Sequence, residues 1–175
     1  MYKVKQNLKP SGLIGISDEQ INDHWKLYEG YVKQVNTLIG EKNVRHRLGF
    51  EYNGMVLHEY YFENLKPGRT EISDGNLKKA IEKTWGSFDN WKQDFIATGK
   101  SRGIGWAILY ADQNKNLTNN FIFSHDIGHI SGFRPILVMD VWEHAYMVDH
   151  KAGGRADYID AFFKNINWQT VENRY

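Results

Sequence analysis

Apolar residues recur every three or four positions in the first third of the chain, the spacing that places them on one face of an α-helix. The first run follows Ser17, where Ser-Asp-Glu-Gln has the form of a capping box, and it ends at Gly40. The second run covers residues 43–65 and stops at Pro67-Gly68. Two long helices with a short connection predict an antiparallel hairpin.

The rest of the chain changes from helical spacing to strand patterns and back again. The predicted elements are helices at 76–85, 87–98 and 155–166, and strands at 106–110, 120–123 and 136–139. This order predicts an α+β fold, in which helices surround a small three-stranded antiparallel sheet. A composition break after the hairpin places a boundary between an N-terminal helical hairpin domain, 1–67, and a C-terminal α/β domain, 68–175.

Charge and hydropathy limit the partners of this chain of 175 residues. Lys and Arg number 22 and Asp and Glu 21, so the net charge is +1, which gives no reason to expect a nucleic acid or an acidic membrane surface. No stretch reaches the ~18 apolar residues of a membrane span, and no leader-like segment begins the sequence. A cytoplasmic protein is expected.

Cysteine is absent, which excludes disulfides, thiolate zinc sites, iron–sulfur clusters and cysteine nucleophiles. Any metal must therefore be bound through nitrogen and oxygen, and the chain has seven histidines. The sequence also lacks a G-x-G-x-x-G dinucleotide fingerprint and a G-x-S-x-G elbow.

The segment that carries the strongest chemical signal lies where the third predicted strand ends. Asp140 and His144 are four positions apart there, so a carboxylate and an imidazole can be aimed at one point. One carboxylate with several imidazoles suits iron, manganese or zinc. Taken alone, the same spacing also fits a capping aspartate and a packed histidine.

The whole segment, Asp140-Val-Trp-Glu-His-Ala-Tyr146, resembles the signature of the iron/manganese superoxide dismutases. Similarity to that family continues over nearly the whole chain after the first dozen residues. The other similar segments are 16–32, 55–65, 86–89, 105–107, 158–162 and 167–168.

The resemblance implies four metal ligands, and they come from both halves of the chain. They are His24 on the first helix, His58 on the second helix, Asp140 and His144. The cofactor is then one manganese or iron ion per subunit, and the choice between the two ions stays open because both accept this donor set. Zinc is excluded for the implied activity because it has no accessible redox change.

The resemblance also assigns two residues a direct part in catalysis. Tyr31 matches the tyrosine at the substrate entrance, and His125 matches the residue beside the solvent of the metal site, where many relatives have glutamine. His129 is a competing candidate for that second place. In other relatives that glutamine comes from the second helix, and the matching position in this chain is Gly54.

The first helix departs from the family pattern, because the stretch between His24 and Tyr31 is one residue shorter than usual. Relatives have a histidine at the entrance there. Counting forward from His24 puts Tyr28 in its place, which is the favoured match, and counting back from Tyr31 puts Leu27 there. Met147 stands where most relatives carry a tyrosine that reaches that histidine across a dimer, so the usual proton path at the interface is altered.

Four further positions match residues around the metal pocket or the subunit interface. Trp106 and Trp142 match aromatic residues that wall the pocket. Glu143 matches a carboxylate that bonds a metal-ligating histidine of the partner subunit, and Arg155 matches a position near the interface. The resemblance therefore implies a homodimer, with a tetramer as the alternative.

The implied reaction is the conversion of superoxide into dioxygen and hydrogen peroxide. Two other functions fit some of the same residues. A non-haem iron oxygenase uses two histidines and one carboxylate, and a relative that has lost catalysis keeps the fold for interactions.

Overall fold

Seven α-helices and three strands form the regular structure of the described residues, 1–41 and 45–175 of this computed structural model. The helices are α1 (Asp18–Leu38), α2 (Arg45–Glu63), α3 (Asn76–Trp85), α4 (Phe88–Gly99), α5 (Met147–His150), α6 (Arg155–Lys164) and α7 (Trp168–Asn173). The strands are β1 (Gly105–Ala111), β2 (Leu117–Phe123) and β3 (Arg134–Asp140). The predicted α+β class is confirmed.

Most predicted elements agree with the structure to within a few residues. The start predicted for the second helix, residue 43, lies outside the described residues. The last long helix, α6, ends before Asn165 rather than at Ile166, because Ile166 pairs with Leu65 in an isolated β-bridge. Apolar periodicity did not predict α5 or α7, since a helix of four or six residues is too short to show a repeating pattern; only the family resemblance at 167–168 pointed to α7.

The hairpin of α1 and α2 buries the apolar face that the sequence predicts. The Ser17 side chain accepts a hydrogen bond from the Gln20 main-chain N–H at 3.0 Å, so the predicted cap is present. The face of α1 that is buried comprises Gln20, Ile21, His24, Trp25, Tyr28, Val32, Val35 and Leu38. His24 therefore lies inside the protein because it shares the helical spacing of the core residues.

The sheet has the order β2-β1-β3, with β1 antiparallel to both neighbours. Every residue of β1 is buried. Trp106, at the start of β1, lies directly across from Asp140 at the end of β3. The strand pairing thus places a tryptophan beside the aspartate that the sequence singles out.

The end of α2 is tied to the C-terminal half of the chain. The Asn64 side chain donates to the Val138 carbonyl at 2.6 Å, and the Lys66 N–H donates to the Asn165 carbonyl at 2.8 Å. The boundary between residues 67 and 68 stays a prediction. Within the described ranges, no helix has the length and apolar character needed to cross a membrane.

Candidate metal centre

Four side chains from four elements of the fold meet in one cluster below the protein surface. They are His24 of α1, His58 of α2, Asp140 at the end of β3, and His144 in the short 3-10 turn that follows. One nitrogen or oxygen atom of each lies within 4.8 Å of those of the others. The first three are fully buried, and 22% of the His144 side chain is exposed. The structure therefore brings together all four residues that the family resemblance implies as ligands.

The carboxylate of Asp140 is the centre of this cluster. Its Oδ2 lies 3.1 Å from Nε2 of His24, 3.1 Å from Nε2 of His144 and 3.8 Å from Nε2 of His58. Its Oδ1 accepts the Trp142 N–H at 2.8 Å, which fixes the plane of the carboxylate. Burial by itself would raise the pKa of Asp140, but His144 and His24 hold that pKa well below its usual range. The group is thus an anion among imidazoles.

His58 shows that the cluster suits a metal ion. Its Nδ1 lies 2.6 Å from the Gly54 carbonyl, and because a carbonyl can only accept, this nitrogen carries the proton. Burial and the neighbouring His24 lower the pKa of His58 well below its ordinary value, so the ring is neutral. Its Nε2 then presents a lone pair to the cluster, and no described residue donates a hydrogen bond to it. A buried lone pair of this kind is satisfied when the nitrogen ligates a cation.

Two residues that the sequence did not single out fix the main chain around Asp140 and His144. The buried Gln20 donates to the His144 carbonyl at 2.7 Å and accepts the Val148 N–H at 2.9 Å. The Tyr158 hydroxyl donates to the Asp140 carbonyl at 2.7 Å. Gln20 had a detectable signal, because it lies one helical turn before His24 on the same buried face. Tyr158 begins the family-similar segment 158–162, but no local pattern indicates the bond of its hydroxyl.

His125 joins two of the predicted residues through its two ring nitrogens. The Trp106 indole N–H donates to Nδ1 at 3.0 Å, and Nε2 lies 2.6 Å from the Tyr31 hydroxyl oxygen. Burial lowers the pKa of His125 to about 4, so the ring is neutral near pH 7. Because an indole can only donate, Nδ1 is the acceptor and Nε2–H donates to Tyr31. The tautomer that the sequence leaves open is therefore fixed by Trp106.

Aromatic rings close the space around the cluster. The Trp142 ring stacks on His125 with centroids 5.0 Å apart and on His144 at 5.5 Å. The Trp106 ring meets His58 edge to face at 5.0 Å. Both tryptophans therefore pack against histidines of the cluster. The Phe50 ring, which no sequence motif marks, has its centroid 4.6 Å from that of His125.

Gly54 allows Tyr31 to lie against α2. A Cβ atom on Gly54 would be 2.8 Å from two carbon atoms of the Tyr31 ring, a distance that real side chains do not tolerate. The Tyr31 ring can therefore reach both His125 and His58, whose centroid is 5.1 Å away. The Gly54 carbonyl thus orients His58, and the absence of a side chain at Gly54 leaves room for the Tyr31 ring.

Tyr28 and Leu27, the two candidates for the entrance position on α1, have different surroundings in the structure. A surface depression of about 380 Å³ lies beside Tyr31, and Leu27 and Glu51 are among the residues that line it. The ring of the favoured candidate, Tyr28, is fully buried. Its hydroxyl donates to Glu59 at 3.0 Å and accepts the Lys5 N–H at 3.1 Å. Tyr28 thus faces the N-terminal segment, and Leu27 occupies the place at the depression.

The remaining predicted residues lie outside the cluster. Glu143 and Met147 are exposed on either side of the buried segment that contains Tyr146. Arg155 donates to the Ser101 and Gly103 carbonyls at 2.9 and 2.7 Å, so it binds the loop that leads into β1. His129 does not contact Tyr31; its ring is bonded to Tyr110 and to the main chain of His125.

The fold and the cluster define a class of protein: an α+β chain in which three imidazoles and one carboxylate converge as donors for a single metal ion. A model of the family described as iron/manganese superoxide dismutases, C-terminal domain, matches residues 73–174. The superoxide dismutase [Fe] of Aquifex pyrophilus is 38% identical over 192 aligned positions, which cover 98% of this chain and 89% of that protein. The superoxide dismutase [Fe] of Cupriavidus metallidurans is 34% identical over 100% of this chain and 96% of its own. The superoxide dismutase [Mn] of Haloarcula marismortui is 39% identical over 70% of this chain and 60% of its own.

The chain belongs to the iron/manganese superoxide dismutase family. The family resemblance predicted from the segment Asp140–Tyr146 is thereby confirmed.

Proposed function

We propose that this chain catalyses the dismutation of superoxide to dioxygen and hydrogen peroxide with one iron or manganese ion. The ion is held by His24, His58, Asp140 and His144. The observation that carries the proposal is the buried four-donor cluster, in which the His58 Nε2 lone pair has no partner among the described residues. Superoxide dismutases with iron and with manganese are both among the relatives of this chain.

Held by His24, His58, Asp140 and His144, the ion would supply one-electron redox chemistry for superoxide. The chain supplies the charge that suits this chemistry. Three imidazoles and a single carboxylate give the donor set one negative charge, which partly offsets the charge of the cation. Trp106 packs against His58 and Trp142 against His144, which lowers the exposure of the cluster to bulk water and so strengthens the electrostatic interactions within it.

Tyr31 and His125 share a hydrogen bond beside the cluster, and each carries a proton in it. Burial raises the pKa of Tyr31 well above its usual value, and the charges of Asp140 and Glu51 add to the effect, so the phenol stays protonated. The Tyr31 oxygen already accepts the Nε2–H of His125. Its own proton is therefore available to a partner in the pocket. We assign Tyr31 the role of proton donor to the peroxide product and His125 the role of orienting it.

The geometry favours dismutation over the two alternative functions. An iron oxygenase of the facial-triad type uses three protein ligands and keeps the other positions open, whereas four donors converge in this chain. A relative without catalysis has no need for an intact cluster, and here every implied ligand is present.

We infer that two copies of the chain associate through the face that carries Glu143. Exposed apolar side chains flank this face: Met147 is 40% exposed and Ile104 is 42% exposed. Arg155 links the two segments that carry them, since it donates to the Gly103 carbonyl and lies over the Tyr146 ring. Sedimentation of the metal-loaded protein should give twice the chain mass, and a monomer at micromolar concentration would contradict the assignment.

Reconstitution with single metals tests the proposed function. The metal-free protein is loaded separately with iron, manganese and zinc, and bound metal and superoxide consumption are measured for each form. About one ion per chain is expected in each case, with activity from iron, manganese or both and none from zinc, which has no redox change. Full loading with iron and with manganese but no superoxide consumption would overturn the proposal.

A further inference from the structure

The loop between β2 and β3 places His125 in a tightly bonded turn. Phe123 and Ile127 exchange two main-chain hydrogen bonds, at 2.9 and 3.2 Å. Ser124, directly before His125, has a φ of +57°, a left-handed conformation that an L-residue adopts only when its surroundings enforce it. The turn therefore needs external contacts to hold the main chain at His125.

His129 makes such a contact, and both of its ring nitrogens take part. Its Nε2 lies 2.9 Å from the main-chain oxygen of His125, and its Nδ1 lies 2.9 Å from the Tyr110 hydroxyl. A carbonyl can only accept, so Nε2 carries the proton, and in the neutral ring Nδ1 accepts from Tyr110. His129 thus connects the turn to a buried residue of the central strand.

The strand that holds His129 is also the strand that holds the His125 ring. Tyr110 and Trp106 are four positions apart on β1, so their side chains lie on the same face of the sheet. Trp106 bonds the His125 imidazole, while Tyr110 bonds the His125 main chain through His129. Strand β1 therefore holds both the imidazole and the main chain of His125.

We propose that His129 is a positioning residue for superoxide dismutation, which holds the main chain of His125 so that its imidazole reaches Trp106 and Tyr31 together. The proposal rests on the proposed function for its effect on activity. Its structural part concerns two bonds, of 3.0 and 2.6 Å, that a small shift of the turn would break. His129 touches neither substrate nor any of the four cluster residues in its two ring bonds, so it acts through His125.

The first experiment compares His129→Ala with a matched control, His150→Ala. His150 also forms an imidazole-to-carbonyl contact, 2.8 Å from the Gly15 oxygen, in a different loop. We expect His129→Ala to keep its metal but to lose about five- to tenfold in superoxide consumption, the ratio expected for one neutral hydrogen bond. His129→Gln should restore part of the loss, because its amide N–H can donate to the same carbonyl. Equal activities in His129→Ala and His150→Ala would overturn the proposal.

The second experiment separates positioning from general stability. In the diamagnetic zinc-loaded protein, the exchange of the Trp106 indole proton with water is followed by NMR. That exchange should accelerate at least about tenfold in His129→Ala and remain unchanged in His150→Ala. Unchanged Trp106 exchange in His129→Ala would overturn the proposal. This readout does not depend on activity, so inactivity of the unmodified protein would count against the proposed function alone.

A Tyr31→Phe background completes the test. If His129 acts through the bond between His125 and Tyr31, His129→Ala should cost little further activity once the Tyr31 hydroxyl is gone. The faster exchange of the Trp106 indole proton should persist in the double variant. An equal activity loss in both backgrounds would assign His129 a structural role only.

Discussion

Asp140→Asn is expected to leave the chain folded but to lower its affinity for iron or manganese by more than about 100-fold. Loss of a supporting residue around a metal costs 10- to 100-fold in affinity, and loss of an anionic ligand should exceed that range. Asp140 contributes the one negative charge of the cluster, and its Oδ2 lies within 4 Å of Nε2 of all three histidines. The amide of asparagine has nearly the same volume, so the packing around the site is preserved. Metal content after dialysis against a chelator measures the effect.

Asp149→Asn is the matched control for this change. Asp149 also accepts a main-chain hydrogen bond, from the Ser17 N–H at 2.7 Å, but it is exposed and outside the cluster. It should keep full metal content and activity. If Asp140→Asn retained as much metal as Asp149→Asn, the assignment of Asp140 as a ligand would be wrong.

His125→Ala is expected to retain its metal and to lose about 10- to 100-fold in superoxide consumption, the scale of a buried group that loses its orienting hydrogen-bond partner. Without the imidazole, the Tyr31 oxygen loses the N–H that orients it. The buried Trp106 indole also loses its acceptor, which should lower the free energy of unfolding by about 1–3 kcal/mol. Metal content, superoxide consumption and the thermal midpoint are measured on the same preparation.

Two further variants serve as comparisons for His125→Ala. His125→Gln should keep more activity than His125→Ala, because an amide can accept from Trp106 and donate to Tyr31 at the same time. His46→Ala removes an exposed histidine of α2 and should change neither activity nor stability. Full activity in His125→Ala would eliminate the role assigned to His125.

The long helices and the strands could be predicted because their patterns are local. In α1 the buried residues follow one another at helical spacing, and the cap at Ser17 is read from four adjacent residues. Helix α5 could not be predicted in the same way, because its four residues contain barely one turn. The shortened stretch of α1 was also ambiguous, since counting along a sequence does not show which side of the helix faces the neighbouring segment. The contacts of Tyr28 with Glu59 and Lys5 show that its side chain faces the N-terminal segment.

The sequence by itself determined the fold class, the family and the four residues that meet in the cluster. The fold class follows from periodicity, the family from the residue types and spacing of the segment Asp140–Tyr146, and the four residues from the family resemblance that this segment carries. Only the tertiary structure decided the tautomer of His125, the separate part of His129 and the need for glycine at position 54. Each of these depends on partners distant along the chain, such as His125 and Tyr31, which are 94 positions apart and yet 2.6 Å from each other. Hydrogen-bond partners of this kind are brought together by packing, and no local pattern of residues encodes them.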